Sequence, residues 1–193
     1  VQPLLEVRVP LSLNIWELDN VERGARDIDL EPVDRAVWKL AQFEESSVYH
    51  GFSDGSLVGL RDAATQPSIA YDDDPEEFLR SVARGITQLR TSMVQGPYAL
   101  VVTEAVWNYI NNCVQGRPLK HHLEYILGGP AIYSPFIDTP MLVSMRGGDL
   151  ELTLGQDIAI GYKSHDSKQV ELYLTESFTF QTLEPNVVVF FTR

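Results

Sequence analysis

The sequence predicts an α+β fold, with helices early and in mid-chain, strands flanking them, and a strand-rich end. Three stretches carry that prediction. From Leu5 to Ile15 the residues alternate without a break, with Leu5, Val7, Val9, Leu11, Leu13 and Ile15 on one side and Glu6, Arg8, Pro10, Ser12 and Asn14 on the other. That is the period of a half-buried strand. From Pro32 to His50 the apolar positions Val33, Ala36, Val37, Leu40, Phe43 and Ser47/Val48 follow the spacing of one buried helical face. Asp34, Arg35, Lys39, Gln42, Glu44 and Glu45 are expected largely on the opposite face. Beyond Leu150 short alternating runs follow one another to the end of the chain.

Composition sets the frame. With 193 residues, 44% hydrophobic and 22% charged, the chain suits one sizeable core or two small lobes. No apolar run approaches the ~20 residues that span a bilayer, so no membrane partner is expected. The start, VQPLLEVRVP, has neither the basic region nor the cleavage site of a signal peptide. A single cysteine, Cys113, rules out an internal disulfide and fits a reducing compartment. The 27 acidic against 15 basic residues leave a net charge of −12, and the basic residues are scattered. Such a surface repels phosphate backbones, so nucleic acid is excluded as the expected partner.

Taken in order, the first strand is long against a typical ~5–6 residues, and Pro10 marks it as an edge or a bulge. No partner strand lies upstream. It reads either as an ordinary edge strand or as half of an extended hairpin whose other half is lost or belongs to another subunit. Trp16–Gly24 reads as a polar connector with a short helical turn. The central helix follows, with Pro32 in its first turn and Gly51 ending it. At about 1.5 Å per residue it is roughly 28 Å long, the width of a small domain. A second helix is expected from Pro75 to about Met93. Its N-cap is Asp74, Glu77 completes a capping-box pattern, and Phe78, Leu79, Val82, Ile86, Leu89 and Met93 form its inner face. Gly85 inside it points to a close packing contact. Tyr98–Val102 reads as a buried strand. Thr103 can cap a helix to about Ile110 or Cys113 with Val106, Tyr109 and Ile110 inward, and another runs from Leu119 to Leu127 before Gly128-Gly129-Pro130. Strands are then expected at Ala131–Ser134 and Met141–Met145, and along Leu150–Leu154, Ile158–Tyr162, Val170–Leu174, Phe178–Phe180 and Val187–Phe191. Lys163–Lys168 is a hairpin tip.

The residues themselves offer no catalytic constellation. Gly51–Gly55 matches G-x-S-x-G, but a nucleophile elbow needs a strand before Ser53 and a helix after it. Here a helix precedes and a glycine-rich loop follows. Asp72–Glu77 is a helix start rather than a metal cluster, because it lacks the loop spacing and closing Glu of a calcium site. His121 and His122 are adjacent and diverge by ~100° on a helix, which suits solvent better than one metal. Neither a cofactor fingerprint nor a metal-ligand spacing is present, so none is expected. Trp16 or Trp38 could stack a flat ligand, although a tryptophan is more often core.

Three strings reach further. LSLNIWELDNVERG (Leu11–Gly24), GPYALV (Gly96–Val101) and SMRGGDLELTLGQDIAIGY (Ser144–Tyr162) stand in the order and separation found in the encapsulin shell proteins, a family also named for the bacteriocin linocin. LYLTESFTFQTLEP (Leu172–Pro185) continues the resemblance, which covers nearly the whole chain and is weakest over Phe52–Tyr71. It implies the tailed-phage capsid-like fold and a structural, non-enzymatic role. The subunits would self-assemble into an icosahedral nanocompartment, a virus-like particle in the prokaryotic cytoplasm that encapsulates cargo enzymes. Residues 1–16 would be the returning strand of the E-loop, with Val7, Val9, Leu11 and Leu13 pairing across subunits. Residues 17–95 and 156–184 would form the peripheral (P) domain around the spine helix 32–50. Residues 96–155 and 185–193 would form the axial (A) domain. Asn112, Gly116, Arg117 and Lys120 would lie in the five-fold pore loop. A cargo protein's short targeting peptide would dock on Asp157, Ile158 and Ile160. The alternative for those two isoleucines is core packing, with Asp157 merely turning the chain.

The resemblance further implies an N-terminal helix and an outgoing E-loop strand ahead of Val1, so a truncated core, weaker in shell closure and cargo binding, is expected. A bacteriocin-like peptidase or hydrolase resting on Ser53 is one alternative function. A phage major capsid protein is another, although the acidic balance favours a shell that holds proteins over one that packs DNA.

Overall fold

The computed structural model describes residues 2–112 and 118–193. In chain order the elements are β1 (Leu5–Asn14), α1 (Ile15–Glu22), α2 (Glu31–His50), α3 (Leu60–Ala63), β2 (Ile69–Ala70), α4 (Pro75–Thr91), β3 (Tyr98–Val102), α5 (Glu104–Asn112), α6 (Leu119–Leu127), β4 (Ala131–Tyr133), β5 (Met141–Ser144), β6 (Leu150–His165), β7 (Gln169–Thr182) and β8 (Val188–Thr192). Single 3-10 turns occupy Ser53–Gly55 and Pro185–Val187. The chain divides into two compact units. The first comprises the chain up to Ser47 together with Phe52–Leu57 and Leu152–Phe180, and the second comprises Val48–Gly51, Val58–Glu151 and Gln181–Arg193. The P-domain expectation grouped residues 58–95 with the spine helix, whereas in the structure they lie in the second unit. The reason is packing: the apolar face of α4 joins the buried cluster formed by β3, β5 and β8.

In the first unit α2 lies on a three-stranded sheet of order β1-β7-β6. β1 and β7 are antiparallel over ten pairs, from Leu5 opposite Phe178 to Asn14 opposite Gln169. The strand that lacked a visible partner upstream therefore finds it near the other end of the chain. β1 is the sheet's edge, as Pro10 requires, since proline has no N–H to offer a ladder. Leu11, Leu13, Ala36, Leu40 and Leu174 form the core of this unit, with Val7, Val9, Val33, Val170 and Leu172 packed against them. Phe43 adds edge-on ring contacts to Phe52 and Phe178, at 5.2 and 6.4 Å between centroids.

The helical face of α2 differs from the expectation at Val37, Glu44 and Glu45. Val37 is 43% exposed. Glu44, expected outside, is half-buried. One turn beyond Leu40 and close to buried Ser47, it sits on the stripe that Ala36 and Leu40 begin. Trp16–Gly24 is more structured than a connector: Asn14 caps α1 by accepting from the Trp16 N–H at 2.9 Å. Trp16 and Trp38 are both exposed, and the Arg23 guanidinium lies 5.1 Å from the Trp16 ring. β6 runs 16 residues as one strand where two were expected. Its Gly155 does not break it, because Leu4 and Ser177 occupy the space a Cβ would need, at 2.6 and 2.8 Å. Asp166 closes the hairpin to β7 by accepting from the N–H groups of Lys168 and Gln169.

The second unit is built on a five-stranded mixed sheet of order β2-β8-β5-β3-β4. β3 is buried at all five positions. The cap of α4 is the one the sequence called for: the Asp74 carboxylate accepts from the N–H groups of Glu76 and Glu77 at 3.0 Å each, with Pro75 in the first turn. Glu77 does not close the box, since it pairs with Arg80 while Asp72 takes the Asp74 N–H. Phe78, Val82, Ile86 and Leu89 are buried. A Cβ on Gly85 would sit 3.1 Å from Leu142 and 3.3 Å from Phe191, the close contact its presence implied. Met93 is 82% exposed, because α4 stops at Thr91 and Met93 turns into the left-handed region (φ 61°). α5 buries Val106 and Ile110, and α6 ends on Gly128 at φ 65°.

Candidate functional site

No catalytic arrangement forms around the G-x-S-x-G match. Ser53–Gly55 is a single 3-10 turn with no helix behind it. The Ser53 hydroxyl is exposed, 3.5 Å from Asp54 Oδ1, and among the described residues no histidine hydrogen-bonds it. His121 and His122 are both exposed on α6. Among the described residues no group of three or more His, Cys, Asp or Glu could hold a metal ion, and no helix is long and apolar enough to cross a membrane.

The surface of β6 in the first unit is a more informative place. Ile158 is 50% and Ile160 62% exposed, with Leu152, Leu154 and Tyr162 of the same strand also open to solvent. Core packing is therefore not their role. A row of apolar side chains alternating along a strand gives an extended peptide a series of contacts on one face. Asp157 is exposed and accepts from the Ile158 N–H at 2.7 Å, so its carboxylate is held against its own strand.

Two further acids in the first unit are more buried than the sequence suggested. Glu176, on β7, is opposite Val7 and only 3% exposed, and its Oε2 is buried with no hydrogen-bond partner. Glu44 faces the same core side from α2. Burial pushes the Glu44 carboxyl above its ordinary range, and the charges of Glu45 and Asp157 push it further. Burial likewise raises Glu176, followed by the charges of Glu44 and Asp157. Among the described residues no lysine, arginine or histidine forms a salt bridge with any of the three. The helical spacing of Leu40 and Glu44 was the one signal that could have exposed the burial of Glu44. A glutamate on a buried stripe is rare enough that it was read as outward.

The expected subunit-pairing positions are Val7, Val9, Leu11 and Leu13. Leu11 and Leu13 are 7% exposed each, and all four turn toward the core under α2. Their side chains are committed within the chain, and what β1 offers outward is its free backbone edge. Of the positions expected in a pore loop, Asn112 ends α5 and Lys120 lies in the first turn of α6, with its ammonium 4.5 Å from the Trp107 ring. Gly116, Arg117 and the neighbouring Cys113 lie outside the described residues.

A long helix on a three-stranded ribbon sheet, together with a separate helix-flanked mixed sheet, is the tailed-phage capsid-like fold. The chain superposes on a virus-like particle subunit from Pyrococcus furiosus with a TM-score of 0.73 at 19% identity, covering 98% of this chain and 76% of that one. It superposes on the capsid of Myoviridae phage XM1 with a TM-score of 0.65 at 10% identity, covering 98% and 74%. The class is thus a capsid-like shell fold. The family model described as "Encapsulating protein for peroxidase", of the linocin type, matches residues 1–179, and the chain belongs to this encapsulin family. It is 39% identical over 180 residues to the type 1 encapsulin shell protein of Mycobacterium tuberculosis, covering 93% of this chain and 68% of that protein. With the type 1 encapsulin shell protein of Rhodospirillum rubrum it is 40% identical over 191 residues, covering 98% and 68%. These relatives are named for a shell and not for a reaction, in keeping with a structural role and against the hydrolase alternative.

Proposed function

We propose that this chain is a structural subunit of a closed protein shell, a prokaryotic nanocompartment in the cytoplasm, built by self-association of many copies. The observation that carries this is the 38–40% identity to type 1 encapsulin shell proteins over 93–98% of the chain. A phage capsid is the weaker reading, since the capsid likenesses stand at 8–15% identity. The first unit takes the place of the P domain and the second that of the A domain. The free edge of β1 is the contact offered to a neighbouring copy, because its unpaired N–H and C=O groups can extend the ladder. The loop between α5 and α6, with Asn112, Gly116, Arg117 and Lys120, lines a pore. The inner wall takes a short targeting peptide from cargo proteins along Ile158 and Ile160 beside Asp157, in the manner of strand addition to an apolar surface.

Size-exclusion chromatography with light scattering, followed by electron microscopy, tests the assembly. Uniform hollow particles of megadalton mass are the expected result. A monomer that persists as concentration rises would refute closure of a shell by this chain, and would place it instead with the assembly-defective cores.

A further inference from the structure

The turn that leads from β5 into β6 is held by one side chain at three points. Arg146 Nε donates to Asp149 Oδ2 at 2.6 Å and Nη2 donates to Asp149 Oδ1 at 2.8 Å, a paired fork of the strong kind. Its Nη1 donates to the Met93 carbonyl, just beyond α4, at 2.9 Å. Between the two charged residues stand Gly147 and Gly148, both in the left-handed region (φ 83° and 79°), with nothing beyond their chain neighbours within 4 Å of where a Cβ would be. Asp149 is only 7% exposed, and its carbonyl accepts from the N–H groups of Leu183 and Glu184 at 2.8 and 3.2 Å. One residue therefore stands at the foot of both strands of a hairpin, where β6 begins at Leu150 and where β7 has ended at Thr182. Residues 151–158 are all exposed, so the first half of β6 adds no residue to either core. In that stretch β6 passes from the second unit to the first, after Glu151, and β7 passes back after Phe180.

We infer that Arg146 and Asp149 form an anchor for the foot of the β6–β7 hairpin, and that a shell of uniform particles needs this anchor. The assembly half rests on the shell reading proposed above; the anchoring half does not. An exposed ion pair on its own contributes little, but this fork closes on a nearly buried carboxylate and its third arm grips the end of α4. Lysine cannot take its place, because an ammonium is a point charge and lacks the planar fork that meets both carboxylate oxygens. Without the fork, two glycines give the turn no preferred path of its own. The Asp149 carbonyl is then free to move, and with it the bonds from Leu183 and Glu184. The hairpin opens at its foot while β3 and the buried cluster around it stay closed. A closed shell repeats one contact geometry in every copy. A hairpin that carries the chain between the units must therefore start from the same place in each copy, and the anchor sets that place.

The test is amide hydrogen exchange, read by mass spectrometry on the 193-residue chain, on its Arg146→Lys and Asp149→Asn variants, and on an Arg61→Lys control at the exposed pair with Asp138 in the same unit. In both anchor variants the segment carrying the Leu183 and Glu184 amides should exchange about tenfold faster, the scale of one charge-assisted hydrogen bond, with the amides of β3 unchanged. The control should exchange as the parent does throughout. Parent-like exchange at Leu183 and Glu184 in Arg146→Lys would overturn the anchor, because the fork would then hold nothing. Exchange that quickens equally in β3 would overturn it too, because the pair would then belong to the general stability of the unit. Electron microscopy of the same proteins decides the assembly half. Uniform particles from parent and control, with broken or mixed-size particles from Arg146→Lys, are expected. Uniform particles from Arg146→Lys despite a loosened foot would overturn the need for the anchor and leave the shell reading standing. No particles from the parent would refute the shell reading and the assembly half with it, while exchange at Leu183 and Glu184 still decides the anchor.

Discussion

Replacing Glu176 with glutamine should stabilise the first unit, and the gain should depend on pH in a defined direction. Glu176 is 3% exposed, one of its carboxylate oxygens has no hydrogen-bond partner, and burial and then the charges of Glu44 and Asp157 raise its proton affinity. In the unfolded chain a glutamate titrates near ~4.3. Below that pH both states hold the proton, the native side chain is neutral, and glutamine offers little advantage. As pH rises, the unfolded carboxyl ionises first while the native one still holds its proton. Each pH unit across that window withdraws about 1.4 kcal/mol of stability per group. Above the raised native value the native carboxylate is also ionised and the loss levels off. Glu176→Gln removes the whole dependence. The cost of one buried unsatisfied polar group, about 1–3 kcal/mol, sets the expected gain at pH 8, with close to none at pH 4. For a chain of this size each kcal/mol moves the melting temperature by about 2–4 °C. Urea unfolding of parent and variant between pH 4 and pH 8, monitored by circular dichroism, measures the difference directly. Because the charge of Glu44 contributes to raising Glu176, the two substitutions should be less than additive in a double-mutant cycle. An equal effect at both ends of the pH range, or a variant less stable at pH 8, would refute this account of the buried acid.

Three other outcomes follow from the geometry. Gly129→Ala should destabilise the second unit by about 1–3 kcal/mol in the same assay, because the new Cβ would stand 2.4 Å from the Tyr98 carbonyl oxygen, a backbone atom that cannot swing aside. Asp74→Ala should cost about 1 kcal/mol by leaving two N–H groups of α4 without their acceptor, while Asp74→Asn should cost much less. Ile160→Ser, at a position 62% exposed, should change unfolding by less than about 0.5 kcal/mol yet lower the affinity of any peptide selected on β6, as fluorescence anisotropy would record.

The elements that were legible beforehand are those whose evidence is local. α6 runs from Leu119 to Leu127 as read, because Leu119, Leu123 and Leu127 repeat at helical spacing and a glycine stops it. α4 begins at Pro75 because Asp74 and proline specify a first turn by their own chemistry. β1 was legible as a strand for the same reason, its alternation requiring no partner to be seen. What was less legible was where an element ends and which of its faces is covered. Met93 continued the pattern of α4, but the helix ended two residues earlier. Trp16–Gly24 reads as a connector with a short helical turn, and the structure extends that turn to α1, capped by Asn14.

The chain's own residues thus settled most of its helices and strands, the Asp74 cap and its place among the shell proteins, because periodicity, capping chemistry and matching strings all lie within short spans. Tertiary structure alone decided that β1 pairs with β7 across most of the chain's length. It also decided that Ile158 and Ile160 stay in solvent, and that Glu44 and Glu176 are withdrawn from it. Burial and electrostatics depend on which surfaces come together, and a carboxylate on a helix has the same letter whether it faces water or another carboxylate.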